Sequence, residues 1–460
     1  MNHVRSQLLP QTARDLHRKA ATRQSEGRVP GLLAAVGRAG KVWWSDGIGS
    51  ADLERPGTPP DADTQYPVAS NTKTFVAVMV MQLRDEGRLS LDDTVERHLP
   101  EATHPGVTIR QLLSHTTGMA REPVGDVWEE LRFPGRDELV SGWNEAERVG
   151  RPHDRWHYSN LGFAILGEII ARLDGREWHE SLRARLLEPL GLRRTTLTRV
   201  APAAGQYFVP PFHDVPLREP MMDLAATGSA GALWSTAGDL IAWHGFLADP
   251  SGEILDPDTL EEMVQPQVVA DTAGWTSAWG LGLMLARRDG KTWVGHTGGF
   301  PGAITGVFTE RESATTGLVL MNATATPDPA AIALDLGAHL LEHEPVDITP
   351  WEPGTALPQE LLPLIGRWYS EGRAFVFSIV DGHLEAKVEG PPAHLPPSVF
   401  EKKSSEGGED TDAFRTISGR ERGERLTIDR HSDGSIRQLH WATYPFTREP
   451  VTFDGLPPRR

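Results

Sequence analysis

The sequence predicts a mixed α/β (α+β) protein in which an antiparallel sheet is flanked by helices and a helical subdomain, followed by a small all-β domain. Three observations predict it. Strand-like stretches stand at both ends of a long segment whose middle has helical periodicity. A proline-rich stretch follows, and beyond it short alternating stretches, some separated by turn signals, run toward the C-terminus. The expected boundaries are 1–345 for the first domain, 346–359 for a linker and 360–460 for the all-β domain. At 460 residues the chain exceeds what one ordinary core organises.

In chain order, residues 1–30 read as a helix ending at Gly27, with Pro30 beyond it. Leu32–Val36 and Lys41–Ser45 read as a hairpin around Gly37–Gly40. The run from Phe75 to Leu83 is apolar nearly all round, as a buried helix requires. Leu161–Leu173 closes on Asp174-Gly175, and Trp178–Leu187 stops before Pro189. Ile304–Phe308 and Thr316–Asn322 read as strands, and Pro329–His343 as a final helix. Four prolines in 344–359 mark the linker. Arg373–Val380, His383–Val388, Phe414–Ile417, Leu426–Asp429 and Ile436–Trp441 alternate like short strands, with Asp381-Gly382 and Asp433-Gly434 as turns. Residues 403–412, polar and Gly-bearing, read as a mobile loop.

The formal net charge of -17 repels phosphate backbones and anionic lipids, which excludes nucleic acid and membrane surfaces as expected partners. A small-molecule or peptide-like acyl substrate remains. The chain has no cysteine, so disulfides, thiolate zinc sites and cysteine nucleophiles are excluded. The opening residues lack the apolar region of a secretory signal, and the longest apolar stretch falls short of the ~20 residues that span a bilayer. The cytoplasm is the expected compartment.

Three short motifs carry chemistry. Ser70 stands where a buried helix should begin, and Lys73 follows one turn later on the same face. A serine hydroxyl needs a nearby base, and a lysine serves when burial depresses its pKa. The plain alternative is an N-cap serine beside a surface lysine, but the apolar tract after Lys73 leaves no free surface there. Ser70 is also the only serine with lysine three residues on. The second motif is Trp156-His157-Tyr158-Ser159-Asn160, ahead of a helix. A phenol near an ammonium can have a lowered pKa and relay protons, and an amide two residues later can orient the lysine. Alone, it reads equally as a loop tyrosine with an asparagine N-cap. The third is Val294-Gly295-His296-Thr297-Gly298-Gly299, an edge strand along which a substrate can lie. There an N–H of the glycine pair could join that of Ser70 as an oxyanion hole, and His296 could bond the Tyr158 hydroxyl or a substrate carboxylate. His104-Pro105-Gly106 matches the same weak pattern but sits in a turn.

The order of these motifs resembles the signature of serine β-lactamases, D,D-peptidases and relatives, the penicillin-binding-protein-like family. The flanks Val107–Gly118, Leu187–Leu192 and Gly228–Thr236 resemble its class C-like branch, and the likeness runs from about residue 28 to 343. The resemblance implies a β-lactamase/transpeptidase-like fold, an acyl-enzyme on Ser70, and Lys73 as proton acceptor. It implies Tyr158 as general acid/base, Asn160 as positioner and the Ser70 and Gly299 amides as oxyanion hole, with His296 completing the catalytic set. No cofactor and no metal is implied. Where many β-lactamases carry Lys-Thr-Gly, this chain has His296-Thr297-Gly298. A mostly neutral histidine offers a substrate carboxylate less than lysine does. The pattern is closer to D-aminopeptidases, β-lactamase-like esterases and penicillin-binding-protein-type thioesterases, which implies an ester, thioester or D-amino-acid-containing amide as substrate.

Thr297, Gly298, Trp156 and Arg448 are the expected substrate contacts. Trp156 belongs to a tryptophan-rich segment between Gly118 and Tyr158, with Trp128 and Trp143, expected to overhang the cleft. Arg448 closes Trp441–Arg448 in the C-terminal domain, which resembles the lipocalin-like barrels appended to several such enzymes. Three rival readings stand beside this one. An acyltransferase that cyclises a peptide would share the acyl-enzyme, and a non-catalytic penicillin-binding-protein-like sensor would share the residues. A metallohydrolase could use His339, Glu342 and His343, spaced as H-x-x-E-H. An α/β-hydrolase is excluded because G-x-S-x-G is absent.

Overall fold

The computed structural model describes residues 8–452, apart from 105, 325–326, 349, 355, 391–395 and 406–407; of 403–412 no side chain is described. The chain divides into two compact units, 1–347 and 348–460. No helix among the described residues is long and apolar enough to cross a membrane.

In the first unit, eight antiparallel strands form one sheet in the order Lys41–Gly49, Gly31–Arg38, Thr315–Met321, Ala303–Glu310, Lys291–Phe300, Met284–Arg288, Ser277–Trp279, Val268–Val269. Side-chain alternation along a strand divides its residues between two layers. Leu32, Ala34 and Val36 pack with Val319 and Met321 under the helices Pro10–Glu26 and Pro329–His343. Leu33, Ala35, Leu318 and Leu320 face the opposite way, into the helical body. Gly31–Arg38 is therefore buried at every residue, and its sequence shows a continuous apolar run instead of alternation.

The helix Thr72–Asp85 runs through the middle of that body, with every residue from Thr72 to Met81 buried. Phe75 stacks on Trp243 at 4.0 Å between ring centres, and the Trp243 indole N–H donates to Thr74 Oγ1 at 2.9 Å. Such contacts hold the start of this helix rigid. Truncating Phe75 to alanine would cost about 3–5 kcal/mol. The helix Asn160–Asp174 begins one residue before its apolar run. Ser159, not Asn160, is its N-cap, accepting the Gly162 N–H at 3.0 Å, and Gly175 ends it at φ 68°.

In the second unit, eight strands follow one another in sequence order, from Gly366–Ser370 to Tyr444–Phe446. The meander returns on itself: the Tyr369 N–H donates to Thr447 O at 2.8 Å, and the Thr447 N–H donates back to Tyr369 O at 3.0 Å. A nearly closed barrel results, filled by Trp368, Phe377, Leu384, Phe400 and Leu439. Arg373–Val380, His383–Val388 and Ile436–Trp441 are strands within the bounds expected. Residues 403–412 differ from expectation. They end and begin two paired strands, Ser398–Ser405 and Gly408–Thr416, with Ser404 opposite Glu409. Ladder hydrogen bonds, which composition does not reveal, make this polar stretch β; the part of the expected loop at 406–407 lies outside the described residues.

Candidate active site

A one-turn 3-10 segment, Ala69–Asn71, leads into the central helix. Ala69 has φ 46°, a left-handed conformation that a side chain adopts at a cost of about 1–3 kcal/mol. The strained turn presents Ser70 at the helix mouth, partly accessible, while Lys73 behind it is fully buried.

Lys73 Nζ has three neighbours: Ser70 Oγ at 3.1 Å, Asn160 Oδ1 at 2.8 Å and Ala230 O at 2.6 Å. An amide carbonyl and a peptide carbonyl can only accept, so they take two amine hydrogens. A neutral amine then points its lone pair at the Ser70 hydroxyl. Burial pushes the Lys73 pKa down to about 7, with Glu122 opposing the shift and Arg121 adding to it. Desolvation outweighs the nearby carboxylate, and half of the lysine is unprotonated near neutrality.

Tyr158 lies near enough to Ser70 for the hydroxyl to favour its phenolate, and Lys73 Nζ stands 4.9 Å from the centre of its ring. The lowered phenol pKa expected from an adjacent ammonium is not found. Burial is the larger effect and raises it, despite the Ser70 hydrogen bond and Arg121. Tyr158 therefore stands as a phenol.

Asn160 has its amide orientation set at both ends. Its Oδ1 accepts from Lys73, while its Nδ2 donates to Glu122 Oε1 at 2.6 Å. The backbone N–H of Asn160 donates to Arg121 O at 2.7 Å, and the Arg121 guanidinium lies 5.2 Å from the Tyr158 ring centre. Neither Arg121 nor Glu122 was legible as a site residue, because both lie far upstream of Asn160 in an unpatterned stretch. Ala230 was missed too, although the flank Gly228–Thr236 was singled out. That flank is tied to the helix Thr72–Asp85 and the turn before it through Leu233 N–H to Thr72 Oγ1 at 3.2 Å and Val68 N–H to Leu233 O at 2.8 Å.

The third motif lies on Lys291–Phe300. A Cβ on Gly298 would meet Val68 O at 2.2 Å and Asn71 Nδ2 at 3.0 Å. Gly298 is thus required for the strand to seat on the turn that presents Ser70. A substrate contact is not what demands it. Gly299 is exposed beside it, where a Cβ would meet only Ile304. Thr297 is half-buried. His296 is buried, with Nδ1 2.5 Å from Thr297 O and no partner for Nε2. The expected bond from His296 to the Tyr158 hydroxyl is not formed; the two rings stand 6.3 Å apart. Burial holds His296 neutral, its pKa down at about 3.

Aromatic rings wall the site. Trp156 packs on Trp279 at 5.5 Å and lies 6.2 Å from Tyr158, while Trp143 is wholly buried and Trp128 exposed. His115, left-handed at φ 56° after the helix Ile109–Ser114, lies over Tyr158 at 4.4 Å and takes the Ser159 N–H on Nδ1 at 3.1 Å. Sequence reasoning noticed its flank without giving it a role. Trp279, on a strand remote in sequence, carried no signal at all.

Two other expectations meet a different placement. Arg448 stacks on Trp368 at 3.8 Å and donates to the carbonyls of Ile365, Arg367 and Pro363, which gives it a structural task within the barrel. His339, Glu342 and His343 hold ligand atoms within 4.8 Å of one another. They end a helix on the sheet face opposite the one that Thr72–Asp85 packs toward.

The family described as Beta-lactamase matches residues 16–342, and a domain of unknown function, DUF7586, matches 357–448. Esterase EstB of Burkholderia gladioli is 30% identical over 311 residues, covering 57% of this chain and 77% of that protein. Beta-lactamase-like protein 2 of Dictyostelium discoideum is 28% identical over 52% of this chain, which spans less than half, 46%, of that relative. The D-stereospecific amidohydrolase of Streptomyces sp. superposes with a TM-score of 0.61 at 26% identity, over 71% of this chain and 98% of that one. A serine at the mouth of a buried helix, a desolvated lysine against it and a phenol across from both are thus carried on a matched fold, and the chain belongs to the Beta-lactamase family of serine hydrolases.

Proposed function

We propose that this chain hydrolyses small esters or D-amino-acid amides and peptides through an acyl-enzyme on Ser70. The observation that carries the reading is the neutral-prone Lys73 amine 3.1 Å from Ser70 Oγ, with its other two contacts both acceptors. Lys73 takes the Ser70 proton as Oγ bonds to the substrate carbonyl carbon, and the oxyanion rests on the Ser70 and Gly299 amides. Collapse breaks the bond to the leaving group, which takes the Tyr158 phenol proton; the Lys73 ammonium reprotonates Tyr158. Water then attacks the ester by the reverse proton path, releasing acid and free Ser70.

Substrate class follows from charge. His296, neutral and buried, offers no full positive charge to a substrate carboxylate, which disfavours β-lactams. Glu122 beside Asn160 places a carboxylate near the reacting groups, a suitable neighbour for an α-ammonium. Similarity to an esterase and to a D-stereospecific amidohydrolase points the same way. The test is turnover of short-chain p-nitrophenyl esters and D-amino-acid amides, with intact-mass detection of an adduct on Ser70. Activity lost in Ser70→Ala together with an adduct is expected. A wild type as slow as that variant across the panel, with no adduct, rejects hydrolysis in favour of a ligand-binding sensor.

A further inference from the structure

The helices Pro10–Glu26 and Pro329–His343 lie side by side on one face of the first unit's sheet. Leu16 and Ala20 of the first share a core with Ile332, Leu336 and Leu340 of the second. Two polar contacts fix their register as antiparallel. Lys19 Nζ donates to Asp335 Oδ2 at 2.9 Å, and the Leu9 N–H donates to Glu344 Oε1 at 2.7 Å. Asp15, one turn before Lys19, therefore stands toward His339, one turn after Asp335. The Gln11 amide lowers the Asp15 carboxyl pKa most, and both His339 and His343 lie near enough to lower it further.

Three ligand-bearing side chains gather at that seam. His339 and His343, four residues apart, share one helix face, and their rings stand 4.1 Å apart between centres. With Glu342 they offer one ligand atom each, all within 4.8 Å of one another. Rotation of the two exposed side chains, His343 and Glu342, closes these atoms to the ~3.3 Å that ligands about 2.0 Å from a tetrahedral ion keep. The helix dipole accounts for an exposed histidine such as His343 in a last turn. It does not account for His339, a turn further in, only 9% exposed and with no partner for Nε2. A buried polar atom without a partner calls for one. Entry is open, because His339 and Glu342 line a cleft of about 570 Å³.

We propose that His339, Glu342 and His343 hold one zinc ion, with the Asp15 carboxylate facing its fourth position from the neighbouring helix. Two imidazoles and a carboxylate suit zinc, whereas magnesium and calcium take oxygen ligands. The ion would clasp the unit's first helix to its last. The family resemblance implies no metal for acyl transfer, and this site has no part in it: the helix that follows Ser70 packs toward the other face of the sheet. The two readings stand or fall separately.

Titration calorimetry of the chelator-treated full chain with zinc chloride and magnesium chloride tests it. Zinc should saturate one site, and magnesium should not bind there. His343→Ala and Glu342→Gln, at exposed positions that tolerate change, should each weaken zinc about tenfold or more, and Asp15→Asn several-fold. Zinc should raise the melting temperature of the wild type but not of His343→Ala. Turnover of p-nitrophenyl esters should be the same with zinc or chelator. Zinc affinity unaltered by His343→Ala and Glu342→Gln, as adventitious binding among the chain's 17 histidines would give, overturns the proposal. So does the absence of a saturable zinc site, or magnesium binding as tightly as zinc. Zinc-dependent turnover lost in His343→Ala would overturn the structural role in favour of a metallohydrolase.

Discussion

Gly298 rests on the carbonyl of Val68 so closely that a Cβ built on the glycine would stand 2.2 Å from that oxygen. Val68 begins the turn that presents Ser70, and Gly298 precedes Gly299, so this one contact registers the proposed oxyanion donor against the proposed nucleophile. Asn71 strengthens it by donating to Val68 O at 3.0 Å and to Thr305 Oγ1 at 2.9 Å, Thr305 being the cross-strand partner of Gly298.

Gly298→Ala is therefore expected to push the strand off the turn. Ester turnover should fall by about 10²-fold or more, the effect of losing one oxyanion donor, with a stability loss of about 1–3 kcal/mol. Steady-state kinetics beside thermal unfolding would check it; unchanged kcat would show that the strand does not register Ser70.

The pH profile follows from Lys73. Only the unprotonated amine accepts the Ser70 proton, so kcat/KM should rise with pH through about 7, where burial places this lysine. Lys73→Arg, which cannot deprotonate, should lose about 10³-fold or more while remaining folded. A profile flat from about pH 5 to 9 would argue against the lysine as base.

Glu122 and Arg121 should move that limb in opposite directions. The Glu122 carboxylate stabilises the Lys73 ammonium, so Glu122→Gln should shift the rise to lower pH, while Arg121→Gln should shift it upward. Glutamine at 122 can still accept from Asn160 Nδ2, separating the charge from the hydrogen bond. Shifts of the same sign in both variants would contradict the assignment.

Acid should unfold the first unit early. His244 and His296 are buried with pKa values pushed down to about 3, and burial holds His115 well below its ordinary value. Below an unfolded-state pKa of about 6.5 the unfolded chain binds protons that the folded chain refuses, so stability falls as the pH drops from there toward about 3. Each of His244 and His296 then withdraws on the order of 2 kcal/mol by about pH 5. Thermal unfolding at about pH 7.5 and 5 would measure it, and His244→Leu should flatten the slope.

The cluster of Ser70, Lys73, Tyr158 and Asn160 was legible in the chain because its signals are local. Ser70 and Lys73 lie one helical turn apart, Tyr158 and Asn160 two residues apart, and the apolar run after Thr74 announces the burial that tunes the lysine. The same locality explains the well-placed helix Pro329–His343, whose periodicity and N-terminal proline need no partner to be read.

Tertiary structure alone decided which way each local signal acts. Burial, not the neighbouring ammonium, dominates Tyr158 and leaves it a phenol. Glu122, His115 and Trp279 enter the site only because the fold brings them there across long stretches of sequence. Gly298 proved to be a packing glycine and Arg448 a barrel brace, distinctions a motif cannot make. Desolvation and non-local contacts depend on what lies nearby in space, and a linear chain records only what lies nearby along itself.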